Sequence, residues 1–377
     1  MPNVVTSACA RGHAIGDFYI FSHRFMIDTE SQLASFLSTC AQGDGNRLCA
    51  VDTEADSLHR YSESLCLVQF SDGKQHVLID PLAIEDMSPL RDYLKQSTCW
   101  MHGADYDMHM LKTNLGVIPP TVFDTQIGAR LLGVRKFGYG DLVAHYMDVQ
   151  LEKTSQKADW AKRPLTPVME KYALNDVIYL LPMAELIVAQ LKEAGRYEWF
   201  TESCQAAQLK AEEKKQVRED RWRIKGSGKL TPQGLNYLRA LWLWRDGEAA
   251  AWDRPPFMVT GNKQLMTWAA DLLDGKKPEL PRHYRNSRIK NFQKAIAEAE
   301  AVAEEQMPQR IKGERRRKEP KFEARLDELI AQRDKVAHDL DIDSSLIAPR
   351  AILEALAGKH EGAEELLLNW QRNLLGL

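Results

Sequence analysis

The chain has 377 residues, 44% of them apolar and 27% charged, with a formal net charge of −3; this composition excludes a disordered polymer, and the length exceeds one small core, so two or three domains are expected. Its first residues, MPNVVTSACARGHAIGDF, lack the basic segment and apolar core of a signal peptide. The most apolar stretch, VIYLLPMAELIVAQL, carries Pro182 and Glu185 and falls short of a membrane span, so a cytoplasmic protein without membrane partners is expected.

Thr29 and Gln32 make a T-x-x-Q capping box that opens the helix ESQLASFLSTCAQ, closed by Gly43. RLCAVDTE, SLCLVQF and KQHVLID follow as three strands, the last two joined by a Ser71-Asp72-Gly73 turn, which predicts an antiparallel meander. TCWMH (98–102) reads as a fourth strand, DYDMHMLKTNL as a helix after it, and TVF (121–123) as a fifth strand, so a mixed sheet with helices packed on it is expected. Asp124 caps TQIGARLLG, Asp141 opens a stretch running to Met147, and Thr166-Pro167 starts a long helix reaching about Lys192. The mixed-charge segment LKAEEKKQVREDRWRIKG predicts a connecting helix. Beyond residue 225 the pattern is all helical: Thr231-Pro232 opens one helix, and others fall around 262–273, 286–306, 319–339, 346–358 and 361–374.

Six cysteines, Cys9, Cys40, Cys49, Cys66, Cys99 and Cys204, form no C-x-x-C pair, which argues for reduced thiols and against a structural zinc or a disulfide framework; the one helical-spaced pair, Cys9 and His13, has no second pair near it. The chemistry lies in the acids. Strand periodicity projects Asp52 and Glu54 from one face and turns Thr53 away. Asp107 falls in the first turn of the helix after TCWMH, and Tyr172 and Asp176, four apart, share a helical face beside the apolar Ala173, Leu174, Val177, Leu180 and Leu181. Four carboxylates converging at a core boundary need cations to neutralise them, and oxygen ligands favour Mg²⁺ or Mn²⁺ over zinc. Two such ions clamped by acids are a physical solution to phosphodiester displacement, with Tyr172 in reach of an attacking water to orient it or take its proton.

The D-x-E of Asp52 and Glu54, HGADYDMHML carrying Asp107, FDTQIGARLLG, and DWAKRPLTPVMEKYALNDVIYLLPM carrying Tyr172 and Asp176 together resemble the DEDD superfamily of 3′→5′ exonucleases, and within it the ribonuclease D family, on the branch defined by Y-x-x-x-D. The resemblance spans about residues 25–205 and implies an α/β RNase-H-like mixed sheet. It implies that Asp52, Glu54 and Asp176 bind the metal that holds the nucleophilic water, that Asp52 also bridges to a second ion bound by Asp107, and that Tyr172 positions the water. Asp107 is chosen because the family's acid lies five residues after the strand-end histidine, here His102, with Asp105 as the fallback. Asp124 is also usual in the family, but a helix cap accounts for it. One departure stands out: Ala55 replaces the usual aromatic after D-x-E, removing a side chain that could pack on the terminal nucleotide.

The rear half is similar to HRDC modules, clearly so in LNYLRALWLWRDGEAAAWDRPPFMVTGNKQLMTWA and less so in RLDELIAQRDKVAHDLDIDSSLIAPRAILEALAG. Charge agrees in part: residues 1–205 hold 18 Lys and Arg against 26 Asp and Glu, the remainder 32 against 27, an acidic front and a basic rear. KKPELPRHYRNSRIKNFQK and RIKGERRRKEPK cluster basic residues, the first with Tyr284 and Phe292 interleaved, a composition suited to phosphate contact and stacking. The expected layout is an unassigned lead over 1–25, an exonuclease domain over 26–205, a connecting helix over 206–228, an HRDC domain over 229–308, a basic linker over 309–321 and a shorter HRDC-like domain over 322–377. The expected activity is a two-metal-ion 3′→5′ exoribonuclease acting on RNA with a free 3′ end, tRNA precursors being the family's substrate class. The alternatives are a DNA exonuclease of the same superfamily and a catalytically silent RNA-binding scaffold.

Overall fold

The three central strands form the predicted meander, and the sheet grows outward from it on both sides. In the computed structural model, which describes residues 26–40, 47–213, 220–311 and 321–377, the first part of the chain runs β1 (Met26–Ile27), α1 (Glu30–Cys40), β2 (Arg47–Ala55), β3 (Leu65–Ser71), β4 (His76–Ile79), α2 (Ser88–Leu94), β5 (Ser97–Met101), α3 (Asp105–Leu115) and β6 (Thr121–Asp124). The helices α4 (Thr125–Leu131), α5 (Tyr139–Met147), α6 (Pro167–Ile178), α7 (Leu180–Glu193) and α8 (Tyr197–Glu212) follow. The sheet order is β1-β4-β3-β2-β5-β6, antiparallel within the meander and parallel at β1–β4, β2–β5 and β5–β6. The lead over 1–25, the Cys9 and His13 pair, the closing Gly43 and most of the basic linker lie outside the described residues.

Period-2 alternation assigns each face its own core. Cys49, Val51, Val68, Phe70 and Cys99 pack against Leu33, Leu37, Leu90, Leu94, Met108 and Leu111 from α1, α2 and α3. On the opposite face Leu67 and Leu78 meet Ala173 and Leu174 of α6, while Ala50 and Trp100 meet Val177, Ile187 and Phe200.

Several elements differ from expectation for identifiable reasons. The capping box at α1 is displaced: Thr29 Oγ1 accepts the Gln32 N–H at 3.4 Å, but Gln32 Oε1 takes the N–H of Asp28 at 3.0 Å. The long helix predicted from Thr166 divides at Tyr179 (φ −91°, ψ −6°) into α6 and α7. Pro182, which has no N–H to offer the Ile178 carbonyl, sits at that break. Together α6 and α7 have the length and hydropathy of a membrane span, yet their apolar residues pack on the sheet. α5 starts earlier than Asp141, at Tyr139. Of the predicted connecting helix, the residues through Glu212 belong to α8 and residues 220–222 form turns, while 214–219 lie outside the described residues.

The rear is helical: α9 (Pro232–Trp252), α10 (Pro256–Val259), α11 (Asn262–Leu273), α12 (Asn286–Glu300), α13 (Phe322–Asp339), α14 (Ser344–Ile347), α15 (Arg350–Ala357) and α16 (Asn369–Leu375). α9 to α12 close on an aromatic core of Trp244, Trp268, Tyr284 and Phe292. The final helices do not form a separate core. Leu326, Ile347, Leu353 and Trp370 join the cluster built by α7 and α8, and Trp370 stacks on Trp199 with centroids 5.1 Å apart.

Candidate active site

Three elements bring the acids together. β2 supplies Asp52 and Glu54 from one face, and its pairing with β3 slips immediately after Glu54, a bulge of the kind that ends a ladder and re-aims side chains beside a site. α6 crosses that face with Pro167 in its first turn and Thr166 capping Met169 N–H at 3.3 Å. Its helical spacing sets Tyr172 above Asp176. Asp52, Glu54 and Asp176 each place a carboxylate oxygen within 4.8 Å of the others.

Asp107 stands outside this trio, in the first turn of α3, where it is buried and its Oδ1 accepts a 2.6 Å hydrogen bond from Thr53 Oγ1. Its charge still reaches Asp52 and Asp176. Asp105, the fallback, is exposed. The turn that launches α3 passes through Gly103 at φ +69°, a left-handed conformation that glycine adopts freely. Asp124 fixes that turn by accepting the N–H groups of Gly103 and Ala104, each at 2.9 Å, while capping α4 through Gln126 N–H at 2.7 Å. Its cap role stands, and it also positions α3.

Electrostatics report an unmet demand for positive charge. Burial first, then the neighbouring carboxylates, pushes Glu54 up to about 9 and Asp176 up to about 7, and holds Asp52 well above the ordinary carboxylate range. Burial likewise raises Asp107 to about 7, against the lowering effect of its Thr53 hydrogen bond. The donor set is all oxygen, clustered, and acted on by like charges, which is the chemistry of a hard divalent cation site.

Tyr172 is half-buried beside the trio, its hydroxyl held protonated by burial and by Asp176, Glu54 and Asp52. Trp160 lies 6.1 Å from its ring and is fully buried. Arg163 anchors that tryptophan: it grips Asp80 through Nε and Nη2, donates from Nη2 to Cys66 O at 2.7 Å and from Nη1 to Trp160 O at 2.7 Å. From sequence Arg163 and Asp80 have no assigned part: DWAKRPL and KQHVLID both carry other charged or polar residues, so charge alone does not single out the pair. Tyr139 was also missed. Its hydroxyl donates to Asn175 O at 2.8 Å, its ring meets His102 edge-on at 5.5 Å, and burial with the charges of Asp176 and Asp52 raises its pKa.

A cavity of about 180 Å³ opens beside Glu54, lined by Ala55, Leu58, Tyr106, Gln156 and Trp160 among others. The loop forming its wall also meets the α9 module: Tyr61 Oη donates to Asp246 at 2.9 Å and Arg254 Nη1 to His59 O at 3.0 Å. Tyr284 and Phe292, offered by the sequence for base stacking, are instead buried in the core of that module, with Tyr284 Oη bonded to Val259 O at 2.6 Å. Amphipathic spacing turned them inward, leaving Arg282, Arg285, Lys290 and Lys294 exposed.

A family model described as 3'-5' exonuclease matches residues 25–192. Ribonuclease D of Pseudomonas paraeruginosa is 30% identical over 91% of this chain and 94% of its own length, and ribonuclease D of Cronobacter turicensis is 29% identical over 93% and 97%. The crystal structure of Escherichia coli RNase D, described as an exoribonuclease involved in structured RNA processing, superposes with a TM-score of 0.69 at 26% identity, covering 93% of this chain and 98% of that one. A Bifidobacterium adolescentis protein shares the fold at 23% identity with a TM-score of 0.77, over 93% of this chain and 94% of its own.

Proposed function

The chain belongs to the ribonuclease D family and is a 3′→5′ exoribonuclease, and from that premise we propose that Asp52, Glu54, Asp107 and Asp176 hold two divalent cations, Mg²⁺ or Mn²⁺, in the cytoplasm, with tRNA precursors as the substrate class. The observation that carries the assignment of residues is the carboxylate trio, whose oxygens lie within 4.8 Å of one another with no basic partner among the described residues to neutralise them.

Such a pair of ions would activate a water and neutralise the charge of the departing 3′ oxygen. The protein's share is placement. Asp52 and Glu54 come from a central strand and Asp176 from a helix packed on it, so their separation is set by core packing and not by a loop. Thr53 holds Asp107 toward them. Tyr172 lies half-buried beside the carboxylates, where its hydroxyl would orient the attacking water or take its proton. The rear helices, an HRDC-type unit over 229–308 and a shorter HRDC-like segment over 322–377 that shares its core with α7 and α8, carry exposed basic side chains that meet phosphates without reading sequence.

The test uses a 5′-labelled single-stranded RNA and its DNA counterpart with Mg²⁺, Mn²⁺ or EDTA, beside Asp52→Ala and Asp176→Ala. A metal-dependent ladder from the RNA 3′ end, weaker on DNA and absent in both variants, is expected. Faster digestion of DNA would favour the DNA exonuclease, and RNA binding without cleavage under any metal would favour the silent scaffold.

A further inference from the structure

Gln69 lies in the middle of β3, fully buried, and neither its amide nitrogen nor its amide oxygen has a hydrogen-bond partner among the described residues. A buried polar group left unpaired is destabilising, because it gives up its hydrogen bonds to water without replacement. A carboxamide unpaired at both ends in a central strand therefore calls for a physical explanation.

The strand register offers one. Gln69 stands directly opposite Asp52, so the two side chains leave the same face of the sheet with Cβ atoms roughly 4.5–5.5 Å apart. Its neighbour on the other side, across β4, is Leu78, which can neither donate nor accept. Along β3 the same face presents Leu67 and Ser71, and the Ser71 hydroxyl is engaged by Gly73 N–H at 3.1 Å and His76 Nδ1 at 2.8 Å. Overhead, α6 contributes Ala173, Leu174 and Val177. Of the two side chains directly opposite Gln69 on the adjoining strands, Asp52 alone can form a hydrogen bond.

We propose that Gln69 is a positioning residue for Asp52: its amide N–H donates to one Asp52 carboxylate oxygen and so fixes the rotamer in which that carboxylate faces Glu54 and Asp176. Rotation about the side-chain bonds of a glutamine spans the cross-strand separation, and Asp52 is the acceptor directly opposite, with Leu67 and Leu78 beside the amide on the same face. An outer partner of this kind sets the orientation of a ligating group without touching the metal. The inference rests on the proposed role of Asp52 as a metal ligand.

The experiment measures Mn²⁺ binding to the full chain by electron paramagnetic resonance, with thermal unfolding alongside. Gln69→Leu removes the amide and retains much of its volume. It is expected to weaken Mn²⁺ binding by about 10- to 100-fold while the metal-free chain still unfolds in one cooperative transition. Should leucine abolish the cooperative transition, Gln69→Met, flexible and of glutamine's length, takes its place under the same expectation. In an Asp52→Asn background the substitution should add nothing further, since Gln69 acts through Asp52. Wild-type Mn²⁺ affinity in a folded Gln69→Leu or Gln69→Met chain overturns the proposal, as does an undiminished effect in the Asp52→Asn background. A wild-type chain that binds no Mn²⁺ overturns the metal reading itself, and this inference with it.

Discussion

Thr53 Oγ1 donates a 2.6 Å hydrogen bond to Asp107 Oδ1, so the residue between the two acids of β2 holds the acid of α3. Alternation along the strand makes this possible: Asp52 and Glu54 face α6, while Thr53 faces the side on which α3 packs. Thr53→Val keeps the branched shape and removes the donor. A hydrogen bond to a charged group contributes about 1.5–3 kcal/mol, so kcat is expected to fall about 10- to 100-fold, with more Mn²⁺ needed for half-maximal rate. An unchanged metal requirement would show that Asp107 needs no such restraint.

Arg163 closes the other side of the site. Its bond to Asp80 is largely buried, with 5% of the Asp80 side chain exposed and 27% of the Arg163 side chain. Arg163→Met leaves a buried carboxylate unpaired, and the expected loss of stability lies toward the low end of about 3–5 kcal/mol because the guanidinium is partly solvated. The same change releases Trp160 from its place beside Tyr172, so kcat should drop more than KM rises. Chemical unfolding read with single-turnover kinetics separates the two effects.

How far the sequence disclosed this site depends on the range of the interaction involved. Asp52 with Glu54 and Tyr172 with Asp176 are spacings within one element, and period 2 and period 3.6 place them directly. The contact of Thr53 with Asp107 joins residues 54 positions apart; periodicity correctly turned Thr53 away from the pair but carried no information on what it would meet. The join of Trp370 to Trp199 belongs to the same class, as does the merging of the last helices with the core of α7 and α8. Tyr284 and Phe292 were misread because composition was weighed before phase: their side chains fall on the inner stripe of the module, and the lysines and arginines around them on the outer one. The break at Tyr179 is legible in Pro182, which has no N–H to give the Ile178 carbonyl; the continuous apolar stripe by itself predicts one helix.

The raised carboxylates make a prediction about pH. Asp107 and Asp176 are lifted to about 7 and Glu54 to about 9, by burial first. An unfolded chain ionises such groups near about pH 4. Across the interval the folded state binds more protons than the unfolded one, so stability is greatest at the acid end and falls as pH rises through the folded values. Between pH 5 and 9 the midpoint in EDTA is expected to decline by about 5 °C or more, on a scale of about 2–4 °C per kcal/mol for a domain of this size. Mn²⁺ displaces those protons, so its stabilising effect should grow with pH. A metal-free midpoint that is flat or rises over this range would contradict the assignment of these acids as protonated in the fold.

Ala55 leaves space where an aromatic would otherwise follow the D-x-E pair, and the side chains around that space indicate what fills the role. The cavity beside Glu54 is bordered by Tyr106, an exposed residue whose hydroxyl donates to Glu63 Oε2 at 3.0 Å. Glu63 is held in turn by His109, 3.5 Å away. A phenol fixed at its far end and open on its face is a stacking surface with little entropy left to lose, and a nucleobase stacked on an aromatic contributes about 1–3 kcal/mol. Tyr106→Ala should therefore raise KM for single-stranded RNA about 5- to 150-fold and leave kcat nearly unchanged, because the contact is made equally in the ground and transition states. Tyr106→Phe, which loses the tether and keeps the ring, should fall between the two. Ala55→Phe in the Tyr106→Ala background should recover part of the loss, since it places a ring on the neighbouring wall of the same cavity. If Tyr106→Ala binds RNA as well as the wild type, the terminal base lies elsewhere and the alanine at position 55 has no compensating partner in this pocket.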